Sequence, residues 1–117
     1  MQSFTELQVW QTGLILVKEI YTITKKFPRE EIYGMTSQLR RSSTSILANL
    51  AEGSGRYTYA DKAHKYTISR GECTETEAFL HISVALGFLS KTEITRALQL
   101  THEVGKMISG LIASCKK

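Results

Sequence analysis

The chain has 117 residues with one proline, 42% apolar and 22% charged residues, and a formal charge of +4. That length predicts one domain over residues 1–117, able to bury a core without disulfide or metal staples. No apolar run reaches the roughly 18 residues of a membrane span. Residues 1–11 lack the basic-then-apolar order of a secretory signal, and Cys73 and Cys115 form no CxxC, so the expectation is a cytoplasmic chain with free thiols.

Helical periodicity dominates, in four blocks with short breaks. The first runs from Glu6 to Phe27, with Thr5 and Gln8 spaced for a capping box. Leu7, Trp10, Leu14, Val17 and Tyr21 make one apolar stripe, and Leu16, Ile20, Ile23 and Phe27 make another. So wide an arc predicts a helix with more than one neighbour. Pro28 ends this block and opens the second, Glu30 to Glu52, with core stripe Ile32, Met35, Leu39, Ser43, Ile46 and Leu50. Gly53-Ser54-Gly55 closes it, with a left-handed glycine cap expected.

The third block, Tyr59 to Leu89, follows Thr58 as N-cap; Tyr66, Cys73 and Leu80 recur every seven residues. Gly71 and Gly87 inside it predict close packing or a local bend. The fourth follows Ser90, which forms a capping box with Glu93, and its stripe is Ile94, Ala97, Leu98, Thr101, Val104, Ile108, Leu111, Ile112 and Cys115. Short breaks return each helix beside its predecessor. The expected fold is therefore all-α, an antiparallel up-down-up-down four-helix bundle.

Chemistry-bearing patterns are sparse. His64, His81 and His102 lack metal-ligand spacing, and no paired ExxH motif exists. Cys73 falls on the core stripe, and Glu75 and Glu77 point to different sides of a helix. Gly53-Ser54-Gly55-Arg56 follows a helix and lacks the GK[ST] of a phosphate loop. The expectation is no catalytic residue, no metal and no cofactor.

Basic residues carry more information. Arg40 and Arg41 sit in the second block, and Arg56, Lys62 and Lys65 follow across the turn, interleaved with Tyr57, Tyr59 and Tyr66. Cations neutralise phosphates and rings stack on bases, so this mixture suits nucleic acid; a solvated face with core tyrosines is the alternative. A polar stripe, Gln38, Ser42, Ser45, Asn49 and Glu52, borders the core. It predicts either a network fixing helix register or a subunit interface, with Arg70 and Glu77 as partners, or else a stripe facing water.

Phe27-Pro28, Tyr33-Gly34-Met35, Ser37-Gln38-Leu39-Arg40-Arg41 and Ser45-Ile46-Leu47-Ala48-Asn49-Leu50-Ala51-Glu52-Gly53 together resemble the signature of the four helix bundle protein family, also called 23S rRNA intervening-sequence proteins. Leu7-Gln8-Val9-Trp10-Gln11 and Gly71 with Glu75 and Glu77 fit the same pattern. The resemblance implies a bacterial bundle assembled as a ring-like homopentamer, with no enzymatic activity. It also implies kinship with accessory proteins of diversity-generating retroelements, which bind nucleic acid and a reverse transcriptase. Two positions depart: Leu47 stands where the family commonly has Pro, and Glu72 where a small Ser is usual.

The reading is then a non-enzymatic homo-oligomer that binds RNA or DNA with little sequence specificity through Arg40, Arg41, Arg56, Lys62 and Lys65. The alternative is a protein-interaction scaffold for a partner such as a reverse transcriptase.

Overall fold

Apolar periodicity becomes four long helices in the computed structural model, which describes residues 3–116. These are α1 (Gln8–Thr24), α2 (Met35–Ser54), α3 (Tyr59–Ala85) and α4 (Lys91–Ser114), with 3-10 turns at Phe4–Glu6 and Arg29–Tyr33. Each helix runs antiparallel to the next, and α1 also packs on α4, closing a square in which the diagonal helices do not meet. The bundle is 46 Å long and 21–24 Å across.

Leu16, Ile20, Leu39, Ile46, Leu50, Leu80, Val104 and Ile108 are fully enclosed at its centre. In α1 the stripe containing Leu16, Ile20 and Ile23 is the buried one. Leu14 and Tyr21, from the other stripe, stay 39% and 40% exposed. Both α2 and α4 touch α1, as the wide apolar arc predicts.

Local chemistry moves several boundaries. Thr5 and Gln8 form no capping box: Ser3 caps the first 3-10 turn by accepting the Thr5 N–H, and α1 starts at Gln8 without a side-chain cap. The second block is not one helix from Glu30. A 3-10 turn ends at Gly34, where the Glu31 carboxylate folds back to accept the Met35 N–H at 2.9 Å and caps α2. A Cβ on Gly34 would lie 2.7 Å from that carboxylate, so a larger residue there would push the capping group aside. Ile32, left on the 3-10 turn, is half exposed rather than core.

The α2 terminus also differs from expectation: Gly55 caps it with φ −87°, right-handed rather than left-handed. The left-handed residue among those described is Gly87, φ 79°. It lies just outside α3, not inside it. The Gly87 N–H donates to Val84 and the Phe88 N–H to Ser83, closing a Schellman turn. Gly71 does not pack closely, since a Cβ there would meet nothing within 4 Å, and α3 runs through it without a break. Thr58 caps α3, and Ser90 with Glu93 forms the expected capping box of α4.

The tightest packing involves small residues of α1, α2 and α3. A Cβ on Gly13 of α1 would come within 2.5 Å of Leu47 Cδ2, so Leu47 fills the space over that glycine. Because Leu keeps its N–H, α2 runs unbroken through the position where proline is commonplace. Between α2 and α3, Ser42 Oγ meets Thr76 Oγ1 at 2.8 Å, and Ser69 Oγ donates to the Ile46 carbonyl at 2.6 Å. All three hydroxyls are enclosed, yet each has a partner. Gly53 lies under Tyr66, whose ring a Cβ would contact at 2.6 Å.

Thr76 Oγ1 donates to the Glu72 carbonyl, so in its contact with Ser42 it accepts. Thr76→Val keeps the shape but removes the 2.8 Å acceptor, leaving Ser42 the longer bond to the Leu39 carbonyl at 3.3 Å, and should cost about 1 kcal/mol in urea unfolding. Ser42→Ala combined with Thr76→Val should cost less than the sum of the two single changes, because both remove the same cross-seam bond.

Candidate nucleic-acid interface

The structure separates the five expected cations. Arg40 and Arg41 are neighbours in sequence, but about 100° of helical rotation turns them to different sides of α2. Arg41 faces α3, where it pairs with Glu75 and lies 3.5 Å from Glu72. Glu72, in place of the usual small residue, therefore helps neutralise Arg41.

Arg56, Lys62 and Lys65 lie at the far end of α2, roughly 20 Å along the helix at 1.5 Å per residue. Lys65 Nζ is 2.7 Å from the Glu52 carboxylate, and Arg56 approaches the same group at 4.0 Å. Lys62 Nζ donates to the Ser54 carbonyl at 2.9 Å and the Gly53 carbonyl at 3.4 Å, capping the negative end of α2. Asp61 lines the same surface hollow as Arg56, His64 and Lys65. Tyr57 is fully exposed and Tyr59 half exposed, whereas Tyr66 is core.

Arg40 is held differently. Its Nε donates to Thr24 Oγ1 at 2.9 Å, and its guanidinium carbon lies 4.4 Å from the centre of the Tyr21 ring. Thr24 is buried, and its own hydroxyl proton is committed to the Ile20 carbonyl at 2.7 Å. The guanidinium is thus fixed by a neutral hydroxyl and a ring, with no carboxylate pairing it among the described residues. Nor does one pair with Lys18, Lys25 or Arg29. Arg40, Lys25 and Arg29 line one cleft of about 440 Å³ with Thr24, Thr36, Phe27, Pro28 and Ile32, and that lining contains no acidic side chain.

Lys18, Lys25 and Arg29 lie outside the five cations singled out from sequence. The antiparallel return of α2 along α1 brings the end of one block against the start of the next. The available signal was this fold-back, which places residues 24–29 beside residues 36–40.

The polar stripe divides by position. Ser42 is enclosed in the α2–α3 seam, while Gln38 and Glu52 are exposed and Ser45 and Asn49 half-buried. Gln38 accepts from Arg41, and Asn49 Nδ2 donates to its own helix at the Ser45 carbonyl, 2.9 Å away. Arg70 and Glu77 do not partner Asn49 or Glu52. They face α4, where Arg70 donates to Ser109 Oγ at 3.3 Å and Glu77 lies 3.2 Å from His102 Nε2. These groups line a second hollow of about 440 Å³, with Cys73 and Lys106. Burial pushes the Cys73 thiol up to about 12, which leaves it protonated and unreactive at neutral pH. Among the described residues, no three His, Cys, Asp or Glu side chains form a metal-binding group, and no helix is long and apolar enough to cross a membrane.

Comparison with known proteins adds a family. The model of the 23S rRNA-intervening sequence protein family matches residues 5–110. A crystal structure from Bacteroides thetaiotaomicron VPI-5482, described as a protein with unknown function from the S23 ribosomal protein family, superposes with a TM-score of 0.78. The two share 24% identity over 89% of this chain and 97% of that one, which establishes the shared fold. No curated protein matches the chain.

The hydrogen bond from Lys65 holds the Glu52 carboxyl below its ordinary 4.5, and that from Lys26 does the same for Glu93, helped by the Ser90 N–H. Carboxyls lowered by folding contribute stability that is intact above 4.5 and is lost as pH falls through the lower folded value. Glu52→Gln should therefore flatten part of the acid-side fall in urea midpoint and leave the shape of the neutral limb unchanged. Asn49→Ala removes only a half-exposed bond within one helix, and should change stability by less than about 0.5 kcal/mol.

Proposed function

The chain belongs to the 23S rRNA-intervening sequence protein family, and we propose that it is a non-enzymatic nucleic-acid-binding protein whose contact surface is the α1–α2 face. The observation that carries this reading is Arg40, held rigid by Thr24 and Tyr21 without a carboxylate partner. A fixed guanidinium with unused N–H donors suits a phosphate, because the planar fork matches two oxygens and loses little freedom on binding. Lys18, Lys25 and Arg29 extend the cationic row, and the partly exposed Tyr21 ring adds a surface on which a base stacks. Phosphate contacts position a chain without reading its bases, so little sequence preference is expected.

Of the five cations singled out from the sequence, Arg40 stays central. Arg41, Arg56 and Lys65 are partly neutralised by Glu75, Glu72 and Glu52, and Lys62 is engaged with carbonyls. The exposed Tyr57 and Tyr59 keep the α2–α3 turn as a secondary contact.

A second reading, contact between copies of the chain, is favoured by Leu14 and Ile15, uncovered on α1. Assembly would repeat the cationic face and add avidity without strengthening any single contact. A scaffold for another protein would use the same apolar residues. Co-purification with nuclease treatment separates the readings: nucleic acid recovered without a protein partner favours direct binding.

Filter binding of single-stranded RNA and DNA should show affinity falling steeply between about 50 mM and about 200 mM salt. Replacing Lys18 or Lys25 by Ala should lower the slope of log affinity against log salt by about 0.7 for each phosphate no longer neutralised. The same change at Lys62 should leave the slope nearly unaltered. Binding indifferent to salt would refute the reading.

A further inference from the structure

The α1–α2 face ends where the chain turns from one helix to the other. Along the seam from Gly13 and Leu47 the two helices run side by side, but between Lys25 and Gly34 the chain crosses from one to the other. The cleft lined by Lys25, Arg29 and Arg40 lies at this crossing. Its three cations come from three segments: the residue following α1, the 3-10 turn, and the second turn of α2. Phe27, Pro28 and Ile32 supply apolar walls around them.

A phosphodiester inside a nucleic-acid chain carries one charge and must both enter and leave its site. A phosphomonoester carries close to two charges at neutral pH, because its second pKa is near 6, and presents three strong acceptor oxygens. Three cations in a lining that holds no acidic side chain suit the monoester in charge, with the nearby Glu31 carboxylate engaged by the Met35 N–H. A cleft at the end of a seam is placed to receive the end of a strand that runs along that seam.

Arg40 is already oriented, so its fork is fixed before the ligand arrives. We propose that this cleft binds a terminal phosphomonoester, with Arg40 as the oriented fork and Lys25 and Arg29 closing on the remaining oxygens. The inference rests on the reading that the α1–α2 face meets nucleic acid, and it specifies where a strand ends there. The same chemistry belongs to a free nucleoside monophosphate, which the test separates.

The experiment is fluorescence anisotropy of the purified protein with short single-stranded RNAs of one sequence. They carry a 5′-phosphate, a 3′-phosphate, or hydroxyls at both ends, with the label away from the tested end. Nucleoside 5′-monophosphate is measured by calorimetry in parallel. A phosphorylated end should bind about tenfold more tightly than the hydroxyl form, the gain from additional bonds to a doubly charged group. The preference should shrink as pH falls below about 6 and the monoester loses its second charge.

Lys25→Ala combined with Arg29→Ala should abolish the preference. Both side chains are exposed and neither forms an ion pair, so the thermal midpoint should hold. Arg40→Lys keeps the charge but loses the fork, and should reduce the preference as well. Equal affinity for phosphorylated and hydroxyl RNAs overturns the inference and leaves the nucleic-acid reading intact. Monophosphate binding that disappears in the double variant, without RNA binding, supports the site and identifies a free nucleotide as its ligand. Binding of neither overturns both.

Discussion

The seam between α2 and α3 constrains everything else in this bundle. Ser42, Ser69, Thr76 and Gly53 are small enough to bring the two helices together, and the enclosed hydroxyls bond across the seam as well as to their own helices. A hydroxyl buried without a partner costs more than a made bond returns. The rotation of α2 about its axis is therefore set by these contacts, since turning it would strand them. On its other side α2 lodges Leu47 over Gly13 of α1. With both sides committed, the direction of every remaining α2 side chain follows, Arg40 toward α1 and Arg41 toward α3.

That geometry sorts the charge. A surface ion pair contributes little to stability, but it does decide which cations remain available to an anion. The carboxylates of α3 and of Glu52 lie against Arg41, Arg56 and Lys65, so the α2–α3 side is nearly self-compensated. The α1–α2 side has no such acids in its cleft, and its one oriented cation is held by uncharged groups. A net charge of +4 looks mild as a total. What matters is the local arrangement, a cleft lined by Lys25, Arg29 and Arg40 and by no acidic side chain.

Much of the fold is legible in the sequence because apolar spacing, short breaks and caps such as Thr58 and Ser90 are local signals. The structure departs from the sequence pattern at positions whose role depends on a neighbour distant in the pattern. Glu31 can read as a helix-favouring acid, yet its carboxylate closes a turn over Gly34 and restarts the helix there. Gly87 lies within an apolar run and ends the helix, because Ser83 and Val84 accept its turn's N–H groups. Gly71 faces open space, which no spacing reveals. The site was harder still. Adjacency made Arg40 and Arg41 look like a pair, although helical rotation separates them. Lys25 and Arg29 join Arg40 only through the return of the chain.

The account stands on nucleic acid meeting the α1–α2 face first and the α2–α3 turn only secondarily, and tyrosines mark both places. Tyr21 lies under Arg40 on the first, while Tyr57 is fully exposed on the second. Photo-crosslinking of RNA carrying photoreactive bases, followed by peptide mapping, distinguishes them in one measurement. The account predicts crosslinks concentrated on the α1 peptide containing Tyr21 and on the segment from Lys25 to Arg40. Crosslinks confined to the peptide containing Tyr57 and Tyr59, or none at low salt, would contradict it.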